Sequence, residues 1–110
     1  MASKFHLKKA KDGQFHFNLT AGNGETILTS ELYKAKDSAL NGIESVKKNA
    51  SREGAFEVKA STNDKHYFLL KATNGQVIGQ SQMYASAASC VGGMESVVKN
   101  ASIAVLHDDS

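Results

Sequence analysis

Apolar and polar positions along this chain change rhythm partway through a short stretch, and the change happens twice. From Gln14 to Ala21, Phe15, Phe17, Leu19 and Ala21 fall on one side while His16, Asn18 and Thr20 fall on the other. That period of two predicts a half-buried strand. The run Phe5 to Ala10 places Phe5 and Leu7 on one side in the same way. Asn23-Gly24 then interrupts, a pair that accepts positive φ and favours a type I′ hairpin turn, and Glu25 to Ser30 supplies a third strand. Beyond Tyr33 the period lengthens. Ala39, Leu40, Ile43, Val46 and Ala50 recur at helical spacing and form an apolar stripe.

The same series then returns. Sliding the sequence by 51 residues puts Tyr33 on Tyr84, Asn23-Gly24 on Asn74-Gly75, and Lys48-Asn49-Ala50-Ser51 on Lys99-Asn100-Ala101-Ser102. About 19 of 48 aligned positions are identical without a gap, the mark of an internal repeat. The second strands are Phe56 to Ser61, Lys65 to Ala72 and Gln76 to Ser81. Cys90, Val91, Met94, Val97, Val98 and Ala101 make the second helical stripe. Tyr67 and Leu69 leave the other side of the middle strand partly apolar in this copy. Ser86 is an N-cap candidate for the second helix. Ala35 holds the matching place in the first, where Asp37 is the alternative cap. Asn49 and Asn100 are candidates for left-handed residues at the helix ends. A last run, Ile103 to His107, reads as a final strand.

The pattern therefore predicts an α+β fold of order βββα-βββα-β. Three strands cannot cover both faces of a helix, so one antiparallel sheet with both helices on one face is the economical arrangement. Each copy alone is marginal in size. The expectation is one domain over 1–110 made of two repeats, 4–54 and 55–108, related by a pseudo-twofold axis.

The residues that carry this pattern are also similar to a known signature. Asn23-Gly24-Glu25-Thr26-Ile27-Leu28-Thr29-Ser30-Glu31-Leu32-Tyr33, followed by Gly42 to Ala50, resembles the YegP-like family. Asn74 to Tyr84 and Gly93 to Ala101 repeat it. Gln82-Met83 stands where the first copy has Glu31-Leu32, and Gly92 adds a glycine beside Gly93. The resemblance implies two β3-α-β units in a single sheet with exchanged C-terminal strands. It supplies no catalytic or binding residue.

Composition narrows the function classes. Apolar residues make up 41% of the chain, enough for one core, and the absence of proline leaves no stiff linker. A net charge of +2 is too small to announce a nucleic-acid or membrane partner. Residues 1–54 carry the excess, nine Lys/Arg against six Asp/Glu. One cysteine excludes an intrachain disulfide and fits a reducing compartment. Met1-Ala2-Ser3-Lys4 lacks the apolar run of a signal peptide, and no stretch approaches the roughly 20 apolar residues of a membrane span. The expected location is cytoplasmic.

Candidate chemistry is thin. His6, His16, His66 and His107 fall on strands without any local metal-ligand spacing, and His16 and His66 fall on opposite faces of equivalent strands. Cys90 lies on the helical stripe and reads as a buried small residue. Gly42 and Gly93 share one helical slot, which implies that another element approaches there. The polar residues present in both copies form the one candidate set: Tyr33 and Tyr84, Glu44 and Glu95, Lys48 and Lys99, with the Glu–Lys pairs at helical i,i+4 spacing. Tyr33 and Tyr84 are expected to anchor the strand-to-helix corners. No catalytic residue, cofactor or metal is expected. The leading expectation is a small, monomeric, non-enzymatic binding or interaction module. The alternative is weak nucleic-acid or polyanion binding through Lys8, Lys59, Lys71 and Tyr67.

Overall fold

The computed structural model describes residues 3–52, 54–61 and 63–110. Its elements follow the predicted order. The first repeat contributes β1 (Lys4–Lys9), β2 (Phe15–Thr20), β3 (Thr26–Ser30) and α1 (Lys36–Asn49). The second contributes β4 (Phe56–Ala60), β5 (His66–Lys71), β6 (Val77–Gln80) and α2 (Ala87–Ala101), and β7 (Val105–Asp108) closes the chain. All seven strands form one sheet in the order β4-β5-β6-β3-β2-β1-β7.

The two halves meet at β3 and β6, which pair antiparallel at Thr29 with Gln80 and Ser30 with Gly79. Leu28 is almost fully buried beside this seam. Its partner in the repeat is Gly79, where an added Cβ would lie 2.7 Å from the Thr29 carbonyl oxygen. One leucine thus fills space that two could not share. Each helix reaches across the seam. α1 packs on β2 of its own half and on β5 and β6 of the other, and α2 packs on β5 of its own half and on β2 and β3 of the other.

The exchange of final strands follows from this crossing. α1 delivers the chain to β4 at one edge, and α2 delivers it to β7 at the opposite edge. The six repeat strands pair antiparallel as expected, but β7 lies parallel to β1, so the sheet is mixed. The pseudo-twofold explains the direction. β7 follows α2 as β4 follows α1, and the twofold carries the direction of β4 onto that of β1. Because β1 already occupies that place, β7 adds one strand further out with the same direction.

The core lies between the helices and one face of the sheet, where Phe5, Leu7, Phe17, Leu19, Phe68 and Leu70 are completely buried. Each helix closes on it through a glycine. An added Cβ at Gly42 would lie 2.5 Å from the Tyr33 hydroxyl and 2.9 Å from the Phe17 ring, and one at Gly93 would collide with the Tyr84 hydroxyl. The tyrosines are fixed from behind. Tyr33 exchanges backbone hydrogen bonds with Phe15 and stacks on Phe17 at 6.3 Å, and Tyr84 does the same with His66 and Phe68.

Local chemistry corrects three expectations. The Asn-Gly turns are not type I′: only Gly24 and Gly75 have positive φ, while Asn23 and Asn74 do not. The hydrogen bonds Gly24 N–H to Ala21 O and Ala21 N–H to Glu25 O define a longer loop, a turn followed by one left-handed glycine. Each asparagine side chain instead accepts from the N–H two residues on. Asn49 and Asn100 are not left-handed either. They stay helical and donate back to the Ser45 and Ser96 carbonyls. Ser86 does cap α2, accepting from Ser89 N–H, but α1 has Ala35 at its N-cap position and no side-chain cap, so Asp37, inside the first turn, does not serve as one.

Gly92 and Gly93 are adjacent, yet they should respond in opposite ways to substitution. Gly93→Ala forces a methyl into Tyr84 and should cost about 1–3 kcal/mol. Gly92 has nothing within 4 Å, so Gly92→Ala should gain up to about 1 kcal/mol in helix propensity. Urea unfolding of the two variants checks both signs.

Candidate functional site

Most of the doubled polar residues answer to the fold. Ser30 and Ser81 are buried, accept from the Phe17 and Phe68 N–H groups, and donate to the next residue's carbonyl. Burial pushes the Tyr33 and Tyr84 phenols above their ordinary value. Glu44, Lys48, Glu95 and Lys99 are exposed. Glu44 approaches Lys47 at 3.9 Å, and among the described residues it makes no ion pair with Lys48.

Two grooves related by the pseudo-twofold run between a helix and the opposite half's hairpin. One, of about 780 Å³, lies between α1 (Asn41, Gly42, Ser45) and Gln76–Ile78, with Tyr33 in its wall. The other, of about 530 Å³, lies between α2 (Glu95, Ser96, Lys99) and Ala21–Asn23. The candidate set is thus divided. Tyr33 borders one groove, Glu95 and Lys99 border the other, and the six side chains do not converge on one cleft.

The strongest asymmetry lies at the sheet edges. Phe5 and Leu7 of β1 are completely buried beneath the flank that β7 helps to form. Their counterparts in β4 are open: Phe56 is half-buried and Val58 is 42% exposed. β4 ends the sheet, so its outer backbone edge has no strand partner among the described residues. Beside it, Ala50, Phe56, Met94 and Val98, together with Ser51 and Arg52, line a shallow, mainly apolar depression of about 370 Å³. Val98 occupies the slot that Lys47 holds in the first half, where the ammonium lies 5.7 Å from the Phe5 ring centre. The second half therefore exposes apolar surface at β4 where β1 is covered, while on the other flank β7 leaves Val105 and Leu106 exposed.

The face of the sheet away from the helices carries most of the charged strand residues, with Tyr67 and Leu69 half-buried among them. Glu57 bridges two lysines there, bonding Lys71 and lying 3.5 Å from Lys59. These contacts, the Lys71 hydrogen bond first, hold its carboxyl below the usual range. Two of the three lysines proposed to meet a polyanion are thus already neighbours of an acid. Cys90 is fully buried, and burial raises its thiol pKa, which favours the unreactive form.

One cluster escaped the sequence reading. Parallel pairing of β1 with β7 sets His6 opposite His107, and Asp109 joins them on the same face. Nearly the whole chain separates His6 from His107 and Asp109, so no local spacing could reveal the cluster. The signal was present only in the prediction that the final strand returns to the other half.

Fold and site together define a class: a duplicated βββα protein in which each helix spans both halves of one sheet and the last strand is exchanged. The model of a domain of unknown function, DUF1508, matches residues 10–57 and again 61–108. The chain belongs to this family, whose members include the UPF0339 and YegP proteins. It is 69% identical to UPF0339 protein PA0329 of Pseudomonas aeruginosa over the full length of both. It is 52% identical to YegP of Escherichia coli, again over both full lengths. The solution structure of E. coli YegP, a protein of unknown function, superposes with a TM-score of 0.93 over 99% of this chain and 94% of that one. That of UPF0339 protein SO3888 from Shewanella oneidensis, 48% identical, gives 0.91 over 98% and 92%. Among the described residues no helix is long and apolar enough to cross a membrane.

β7 is tied to the first half by Lys36, whose ammonium lies 2.5 Å from the Asp108 carboxylate. That contact, with hydrogen bonds from Ser110, depresses the Asp108 pKa strongly. A depressed carboxyl contributes stability above its unfolded pKa and loses it as pH falls. Asp108→Asn should therefore lower the melting temperature at neutral pH, and the gap from the parent should close as pH drops below about 4. Paired thermal melts across pH check the sign.

Proposed function

We propose that this chain is a binding module that takes an extended apolar strand along the outer edge of β4. The observation that carries this reading is the unequal treatment of equivalent edges. The first half has β7 beside β1, while the outer edge of β4 has no strand partner among the described residues, Val58 and Val98 are exposed, and Phe56 and Val98 line the depression beside it. An added strand would gain main-chain hydrogen bonds along the edge and bury alternate side chains in the depression, the mode known as strand addition. The chain's own β7 is engaged with β1, so in a monomer the incoming strand comes from another molecule.

A binding role rather than catalysis draws support from how the reactive side chains are used. Cys90 is enclosed, the shared serines complete backbone hydrogen bonds, and the shared tyrosines pack against helix glycines. The polyanion reading draws less support, because Glu57 sits between Lys59 and Lys71.

A peptide with the sequence of residues 102–110 is the natural probe, since it is the strand that fills the equivalent place in the first half. Titrated into the ¹⁵N-labelled protein, it should shift amides of Phe56–Ala60, Met94 and Val98, with a Kd of roughly 0.1–1 mM. Val58→Lys should abolish those shifts. No shift at millimolar peptide, or shifts confined to β1, would overturn the proposal.

A further inference from the structure

We propose that His6, His107 and Asp109 form a binding site for a divalent transition-metal ion of the zinc class on the open face of the sheet. The three residues come from the two strands that the exchange brings together. His6 and His107 are direct cross-strand neighbours in the parallel β1–β7 ladder, and their rings meet edge to face with centres 5.3 Å apart. Asp109 follows His107 by two residues and lies on the same face. Its place is set by the backbone, since its N–H donates to the Leu7 carbonyl at 2.8 Å and extends the ladder.

The donor atoms are already close. His107 Nε2 lies 3.0 Å from Asp109 Oδ1, and His6 Nδ1 lies 3.9 Å from Asp109 Oδ2. One ligand atom from each residue falls within 4.8 Å of the others. Tetrahedral zinc, with bonds of about 2.0–2.2 Å, requires ligand atoms roughly 3.3–3.5 Å apart. Side-chain rotation alone can close that difference. Two imidazoles and one carboxylate are borderline-hard donors suited to zinc, and three protein ligands leave a position for water.

The electrostatics set opposing terms. The imidazoles ligate in their neutral form, so binding weakens as pH falls. Asp109 supplies negative charge, while Lys4 and Lys8 oppose a cation. The balance points to a site of moderate affinity. A bound ion would also cross-link β1 to β7 and so clamp the exchanged strand in place.

Isothermal titration of the chelator-treated full chain with zinc chloride at pH 7.5 tests this. One ion per chain is expected, with a Kd of roughly 1–100 µM. ¹H–¹⁵N spectra should show shifts centred on His6, His107 and Asp109. His107→Ala and Asp109→Asn should each weaken binding at least about tenfold, Lys8→Gln should tighten it, and His16→Ala should leave it unchanged. Spectral dispersion establishes that each variant is folded. Absence of saturable binding, or an unchanged Kd in a His6→Ala/His107→Ala double variant, would overturn the proposal.

Discussion

The structure depends on helices that span a seam too short to hold by itself. β3 and β6 share only two paired positions across the pseudo-twofold. Two such pairs cannot join halves that are each marginal in core size. α1 and α2 supply the connection, since each buries its apolar stripe on strands of both halves. Burying a large apolar side chain contributes about 1.5–3 kcal/mol. Val46, Val97, Ile43 and Cys90, all in the common core, thus make neither half separable without exposing the other.

Crossing helices impose two further features. A helix that lies close to a twisted sheet must fit over the tyrosine at its own strand-to-helix corner. That contact explains why Gly42 and Gly93 hold the same slot despite the helix propensity they sacrifice. Crossing also determines where each outgoing strand lands. The first helix sends the chain to the far edge and starts the second repeat. The second helix sends it back beyond β1, where β7 pairs along the outer side of that strand. The sheet therefore ends in β4 on one side and in β7 on the other, so β1 is covered while its repeat counterpart β4 is not. The edge available for strand addition and the β1–β7 pairing that assembles the histidine cluster both derive from that one topological fact.

Much of this was legible in the residues. The strand alternation, the change to helical spacing, the repeat offset and the Ser86 cap all rest on local chemistry, and local chemistry is what a sequence records directly. The glycine slot was legible as a close approach, though its partner was not. The misses were of another kind. Asn23 and Asn74 could serve either a two-residue or a longer loop, and strand register chose the longer one. Asn49 and Asn100 were free to leave the helix, but a bond to the carbonyl one turn back kept them in it.

By itself the sequence determined the elements, their order, their duplication and the faces that had to be buried, because side-chain periodicity and turn chemistry act over a few residues. Tertiary structure alone decided that β7 runs parallel to β1 and that β4 stays open. It alone brought His6 to His107 across nearly the full chain, and let Glu57 take up Lys59 and Lys71. These outcomes depend on which strand a crossing helix reaches and in which direction, and no periodicity within a strand encodes its distant neighbour.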